Sequence, residues 1–369
     1  MKRCEKCVMT DTRPGILFAE DGICYPCKNF ESKKKVDWDQ RWKELEALCE
    51  KYRESNGDYY DCIITVSGGK DSTYQVYLFK EKLGMNPLCV MVDNGSWTET
   101  GRLNFNNLSE HFGVDILRLT LNRKATKILT ARGFEEELKP NLYWDRALYV
   151  WPLKIALNYG IKLVIWGENT NYETGGPILE ETPDALVQLK NGIISPEPLD
   201  SWCRDGITMK DLQPCIFPSL DEMKSLEVIF TSYYVKWSRY ENVRIAKECG
   251  FKGLDDTGEW VREGLPNFET EQVDTIGYLV NQYCKFIKFG FSNMTELCSD
   301  AVRHGKMTRD EAIKYVNDHD WRLDPKMLDD FCKGTSLSKE RFWEIIDKFA
   351  NRDLLEKRDG VWRLKEPAK

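Results

Sequence analysis

Two groups of residues in this chain have types and spacings that can do chemistry. The first is SGGKDST, residues 67–73, which follows the apolar run CIITV. Gly68 and Gly69 let the backbone approach a ligand closely, and free amides at the start of a following helix favour an anion. Ser67, Ser72 and Thr73 add hydroxyl donors, and Lys70 adds a positive charge. Together they describe a phosphate cradle. It is neither the G-x-x-x-x-G-K-[ST] loop nor the dinucleotide G-x-G-x-x-G fingerprint. Asp71 can ligate magnesium or cap the helix. An unliganded strand-to-helix turn is the bland alternative, but it would leave a lysine and an aspartate as costly decoration.

The second group is CEKC (Cys4, Cys7) with CYPC (Cys24, Cys27). Each Cys-x-x-Cys can aim two thiolates at one ion, and two such knuckles complete a tetrahedron. RPG and EDG between them supply turns for a short ribbon. So small a ribbon needs metal to fold. A redox dithiol is the competing view; the paired spacing favours structural zinc, with every coordination position filled by protein. The remaining cysteines are scattered and read as small buried hydrophobes.

The elements that would position the cradle alternate between strand and helix from Tyr60 onward. DCIITVS, PLCVMVDNG, DILRLTL and IKLVIWGEN read as strands, with helical sequence after each of the first three. Short apolar runs separated by helices imply a doubly wound parallel sheet, with ligands beyond the carboxyl ends of the strands. SGGKDS, VDNG and GENTNYETGG would then converge on one crevice. Asp93 in VDNG is placed to hold magnesium or a nucleoside, or it is a turn aspartate. Glu168 and Asn169 are assigned to the acceptor or magnesium, and Glu173 to the acceptor or ammonia; a solvated loop is the alternative. Residues 31–57 carry Trp38, Trp42, Leu45 and Leu48 at helical spacing and read as a linker helix. Residues 177–221 read as an irregular excursion over the active site.

After that excursion the chain is expected to be mainly helical. Lys236 and Arg239 could meet a sugar-nucleotide phosphate, with ordinary surface charge as the alternative. Ser292 and Thr295 look like N-caps. Asp300 and Arg303 have the spacing of a helix-face ion pair, and Arg303 is also a candidate substrate contact. The segment EKRDGVWRLK suggests a hairpin turning at Asp359-Gly360. The expected division is residues 1–30 as ribbon, 31–57 as linker helix, 58–235 as α/β domain and 236–369 as helical domain.

Composition limits the function. The 369 residues carry 53 Lys and Arg against 60 Asp and Glu, a net charge of −7. Nucleic-acid binders usually show a basic surplus, so this counts against such a partner. No apolar run reaches the ~20 residues of a membrane span, and MKRCEKCVMT has no signal-peptide core. A cytoplasmic enzyme without membrane partners is expected.

SGGKDST between strand and helix resembles the pyrophosphate loop of the N-type ATP pyrophosphatases, or PP-loop enzymes, with an adenine nucleotide alpha hydrolase-like fold. That resemblance implies that Ser67, Gly68, Gly69, Lys70, Asp71, Ser72 and Thr73 hold the pyrophosphate of ATP, with magnesium alongside. The four-cysteine ribbon, VSGGKDSTYQ, GENTNYETGG and KFGFSNMTELCSDAVRHGKMTRDEAIKYV together resemble the bacterial N-acetyl sugar amidotransferases of the WbpG/PseA type. The resemblance covers roughly residues 1–350. It implies conversion of a sugar acetamido group to acetamidino for surface polysaccharide or flagellin glycans, with lipopolysaccharide O-antigen and pseudaminic acid among the settings. By that reading, the amide oxygen attacks ATP and ammonia then displaces AMP. The catalytic residues would be Lys70, Asp71, Glu168 and Asn169, acting on a sugar acceptor that is nucleotide-activated or nonulosonic. No glutaminase cysteine site is visible, so a separate glutaminase subunit, with room for a cyclase-like companion, is expected to supply ammonia.

Two other readings stay open. A tRNA thiolase can combine this loop with a zinc module, but normally needs catalytic cysteines near the loop. Cys62 and Cys89 lie within expected strands, and Cys203 and Cys215 stand apart. A non-catalytic zinc-ribbon adaptor leaves the intact SGGKDST unexplained.

Overall fold

The computed structural model describes residues 1–176, 181–187, 199–262 and 268–369. Part of the expected excursion over residues 177–221 therefore lies outside the described residues. At its centre is a five-stranded, wholly parallel sheet built from β1 (Cys62–Thr65), β2 (Pro87–Asp93), β3 (Asp115–Thr120), β4 (Leu163–Trp166) and β5 (Glu227–Phe230), ordered β3-β2-β1-β4-β5. Cys62 pairs with Pro87 on one side and Leu163 on the other, and Leu163 in turn pairs with Glu227. β1, β2 and β4 are apolar except for Thr65 and Asp93 at the ends of the first two, because helices cover both faces. β5 is an addition to the strands expected from sequence. Its four residues sit among helical-period sequence and acquire strand character by pairing with β4.

The helices run, in chain order, α1 (Tyr25–Ser32), α2 (Trp38–Asn56), α3 (Lys70–Val76), α4 (Glu99–Phe112), α5 (Arg123–Glu137) and α6 (Leu142–Tyr159). They continue with the short α7 (Leu220–Met223) and α8 (Thr231–Tyr234), then α9 (Arg239–Glu248), α10 (Leu254–Thr257), α11 (Val280–Phe289), α12 (Asn293–Arg303), α13 (Arg309–His319), α14 (Pro325–Thr335) and α15 (Lys339–Phe349). β6 (Leu355–Arg358) and β7 (Val361–Leu364) close the chain as an antiparallel hairpin around Asp359 and Gly360.

α2 does more than link. Leu45, Cys49 and Tyr52 are buried in the core on one face of the sheet, and the Tyr52 hydroxyl donates to Glu227 at 2.6 Å. The helical region and the α/β layer also share a core. Phe134 and Leu138, at the end of α5, are fully buried among Phe331, Phe342 and Ile346, with Phe134 stacked on Phe342 at 4.9 Å. Among the described residues, no helix is long and apolar enough to cross a membrane.

Candidate active site

The sheet order reverses direction between β1 and β4, and this is where an open parallel sheet leaves a crevice beyond its strand ends. SGGKDST leaves the end of β1 and GENTNYETGG leaves the end of β4, so the two segments face one another across that crevice. Gly68 has φ +85°, in the left-handed region. A Cβ there would lie 3.1 Å from the Gly101 carbonyl oxygen and the Phe105 amide nitrogen, so only glycine fits against α4. Gly69 caps α3, and the loop is braced internally. Gly68 N donates to Ser72 Oγ at 3.2 Å and Gly69 N to Ser67 Oγ at 3.2 Å, while the Ser72 and Thr73 hydroxyls both donate to the Gly69 carbonyl.

Lys70 is 5% exposed and spends its charge on two carboxylates, Asp71 Oδ2 at 2.8 Å and Glu271 Oε2 at 3.0 Å. Burial works against the lysine's charge, but those two carboxylates outweigh it and raise its pKa above the ordinary value. Asp71 is subject to the same balance in reverse. Burial opposes its charge, while Lys70 and the Asn242 amide, donating at 2.8 Å, lower its pKa. Its side chain remains 35% exposed, and this half-open carboxylate is a donor that suits magnesium.

Glu168 faces this group from the end of β4. Burial, and next the negative charge of Asp71, push it up to about 7. Asn169 is buried: its amide N–H donates to Ser232 Oγ, its side-chain oxygen accepts from Tyr172 N, and its Nδ2 makes no hydrogen bond. Thus Lys70, Asp71 and Glu168 come together, while Asn169, next to Glu168 in the chain, is engaged with Ser232 and Tyr172.

Of the other expected site residues, Glu173, whose charge also raises the pKa of Glu168, and Arg239 stay near this group, while the rest are engaged or exposed elsewhere. Asp93 is fully buried. Its Oδ1 accepts from Gly95 N and Trp97 Nε1, and its Oδ2 from Arg118, Arg123 and Thr120. Of the two roles open to Asp93, ligand of magnesium or a nucleoside and turn aspartate, these contacts match the second: it ties down the turn after β2. Glu173 forms an ion pair with Lys33, in the segment after α1. Lys236 is exposed. Arg303 is buried on α12, 3.6 Å from Asp300; burial works against its charge, and Asp300, then the sulfurs of Cys7, Cys27 and Cys24, outweigh it. Arg239 does reach the site, pairing with Glu271 at 3.3 Å and with Asp300 at 2.9 Å.

Glu271 and Asn242 escape a reading of the sequence. Each contacts the loop across more than 170 positions of chain, and FETEQVD carries no spacing that marks its glutamates. A continuous line of charge results: Asp71, Lys70, Glu271, Arg239, Asp300 and Arg303, ending at the ribbon.

In the ribbon, Cys4, Cys7, Cys24 and Cys27 are fully buried free thiols whose sulfurs lie within 4.8 Å of one another. Cys7 Sγ and Cys24 Sγ are 3.7 Å apart. A tetrahedron with metal–sulfur bonds of about 2.3 Å has edges of about 3.8 Å, so this spacing fits a metal. Backbone N–H groups of Lys6, Cys7 and Cys24 point at Cys4 Sγ, and that of Met9 at Cys7 Sγ, which suits thiolates. The ribbon leans on the β4 loop. Arg13 donates to the Gly175 carbonyl and to Thr174, and Asn29 donates to the Tyr172 carbonyl. Gly175, at φ +108°, lets Ile16 approach to 3.0 Å of where a Cβ would stand.

Residues 229–369 match the family model described as LPS biosynthesis protein WbpG-like, C-terminal domain, so that part of the chain is similar to that domain. An uncharacterized protein of Methanocaldococcus jannaschii, MJ1599, is 35% identical over 193 residues, covering 51% of this chain and 66% of that protein's length. Among solved structures, NMN synthetase of Francisella tularensis aligns with a TM-score of 0.36 at 11% identity, over 83% of this chain and 96% of its own. NH3-dependent NAD synthetase of Campylobacter jejuni aligns with a TM-score of 0.31 at 12% identity, over 63% of this chain and all of its own.

Proposed function

We propose that this chain is an ATP-dependent amidotransferase of surface-glycan biosynthesis, converting the acetamido group of an N-acetylated sugar to acetamidino. The observation that carries the reading is the SGGKDST cradle at the β1/β4 crevice, with Lys70 and Asp71 facing Glu168. The WbpG-like match of the C-terminal part supports the glycan setting.

The residues suit that chemistry. The amides of Gly68 and Gly69 and the hydroxyls of Ser72 and Thr73, exchanging their bonds within the loop, would join Ser67 and Lys70 in holding the β- and γ-phosphates of ATP. Lys70 would exchange Glu271 for a phosphate oxygen as ATP binds. Asp71 is the carboxylate that would hold magnesium, which supplies further neutralisation of phosphate charge. The acceptor's amide oxygen attacks the α-phosphorus, the bond to the β-phosphate oxygen breaks, and pyrophosphate leaves. Ammonia then adds to the activated carbon, the carbon–oxygen bond breaks, and AMP leaves with the former amide oxygen. A carboxyl at about 7 is matched to taking the proton shed by the adding nitrogen, which assigns Glu168 as base. Zinc in the ribbon would be structural, since four cysteines leave it no open position.

Ammonia would come from a separate glutaminase, with room for a cyclase-like companion. A tRNA thiolase is disfavoured because Cys62 and Cys89 are fully buried in β1 and β2, out of reach of a substrate.

The test uses purified chain, ATP and magnesium with CMP- and UDP-linked N-acetyl sugars, followed by mass spectrometry. With ammonium, a product about one mass unit lighter than the acceptor is expected, because NH replaces O; glutamine alone should give none. An acceptor labelled with oxygen-18 in its acetyl group should pass the label to AMP. Lys70→Ala should abolish product. ADP and phosphate as the main products, or unlabelled AMP, would sink the mechanism.

A further inference from the structure

Beside the phosphate cradle, but not part of it, lies a cavity of about 210 Å³ bounded by α9, α12 and the turn at Phe268–Glu271. One corner is polar. Arg239 and Glu271 form it, and Glu271 is the residue that holds Lys70 at 3.0 Å. The rest of the lining is mostly apolar, with Val243, Phe268, Leu297, Ala301 and Met307. Tyr240 also lines the space, with the Lys306 ammonium 5.5 Å from its ring centre.

The polar corner has an unfilled donor. Arg239 Nη1 is buried and makes no hydrogen bond; it lies 3.3 Å from Glu271 Oε1 but is not aimed at it. A buried guanidinium N–H without an acceptor is costly unless something else supplies one. Small-molecule sites commonly combine these features: a mostly apolar concavity with a few convergent polar groups.

We infer that this cavity receives the N-acetyl sugar portion of the acceptor. The acetyl methyl packs on the Leu297, Ala301 and Met307 wall, and an acceptor oxygen takes the free Arg239 N–H. The sugar ring lies along Tyr240, whose face suits the C–H groups of a pyranose. The inference rests on the proposed amidotransferase reading and adds to it a place and a size limit. Sites for drug-sized ligands begin at about 300 Å³, so this cavity takes one sugar and leaves any nucleotide carrier outside, near exposed Lys306. Because Glu271 borders both the cavity and Lys70, an acyl group seated here sits one side chain away from the phosphates. Arg239 and Glu271 are thereby the polar residues that select the acceptor.

Saturation-transfer NMR on the full chain tests this, with UDP-N-acetylglucosamine, UDP-N-acetylgalactosamine, N-acetylmannosamine and N-acetylneuraminic acid as probes. Among binding probes, the acetyl methyl should receive more saturation than any ring proton. Ala301→Phe and Met307→Trp fill the cavity from two sides; Met307 is half-buried, so the second variant places little strain on the fold. Each should weaken sugar binding about tenfold or more, with ATP affinity and the thermal midpoint close to wild type. In turnover, the loss should fall on KM for the sugar. Equal methyl saturation in wild type and both variants would overturn the cavity assignment and leave the amidotransferase reading standing. If no probe binds wild-type chain with or without ATP, the acceptor class falls, and the cavity assignment with it.

Discussion

Glu168 shows most clearly how a residue's chemistry is set by its neighbours. Burial first, and the charge of Asp71 second, raise it from 4.5 to about 7. Between those values the folded protein binds more protons at this site than the unfolded chain. Its contribution to stability therefore falls as pH rises from about 4.5 to about 7. Glu168→Gln removes the titration. Measured by thermal or urea unfolding without ATP and magnesium, the variant should match wild type near pH 5. Above pH 8 it should be more stable by about 1–3 kcal/mol. An unchanging gap across that range would show that Glu168 titrates normally. Lys70 illustrates the opposite case: its charge is retained in a buried position because Asp71 and Glu271 flank it.

Among the elements, the ribbon and α12 are held by different devices. The ribbon has almost no core beyond its cysteines, with Met9 the other fully buried residue of that cluster. Its contacts with the β4 loop run through Arg13, Asn29 and Lys33. Metal removal should therefore free both segments. One zinc per chain is expected by elemental analysis. Cys24→Ser, or a strong chelator, should make residues 1–35 protease-sensitive and speed amide exchange over 169–176, with the sheet strands unchanged. A disulfide in place of the metal would refute this. At α12, Asp320 is 1% exposed and accepts from the backbone and hydroxyl of both Ser292 and Thr295. Asp320→Ala leaves several buried donors unpaired and should cost about 2–4 kcal/mol in unfolding free energy. A loss below about 1 kcal/mol would mean water replaces the carboxylate freely.

At the scale of the whole molecule, the α/β layer and the C-terminal helices form one packed body. Phe134 and Leu138 belong by sequence to the α/β part but are buried by Phe331 and Phe342. Arg13 of the ribbon pairs with Glu296 of α12, and Lys70 pairs with Glu271. A chain stopped at residue 235 would expose the Phe134 surface and strand Lys70 with one carboxylate fewer. Such a fragment is expected to aggregate or to melt without a cooperative transition, while the full chain loses tertiary structure in a single step. A soluble 1–235 fragment with a sharp thermal transition would show that the two parts fold independently.

The sequence alone determined the features that depend on neighbours in the chain. SGGKDST had to be a turn into a helix because its glycines, hydroxyls and apolar flanks are contiguous. Four of the five sheet strands were legible because short apolar runs stand out between helices, even at the edge strand β3, which is only partly buried. The metal-binding pattern of Cys4, Cys7, Cys24 and Cys27 was legible because each Cys-x-x-Cys is a local unit. Tertiary structure alone decided which charges meet. Glu271 and Asn242 reach the loop only once α9 and the turn at Phe268–Glu271 pack against α3. Asp93 is engaged by Arg118 and Arg123, from β3 and α5. β5 gains its strand from β4, and Glu173 its partner from the segment after α1. Local backbone preference and periodicity act over a few residues, whereas the energy of a charge depends on everything within a few ångströms in space, whatever its distance along the chain.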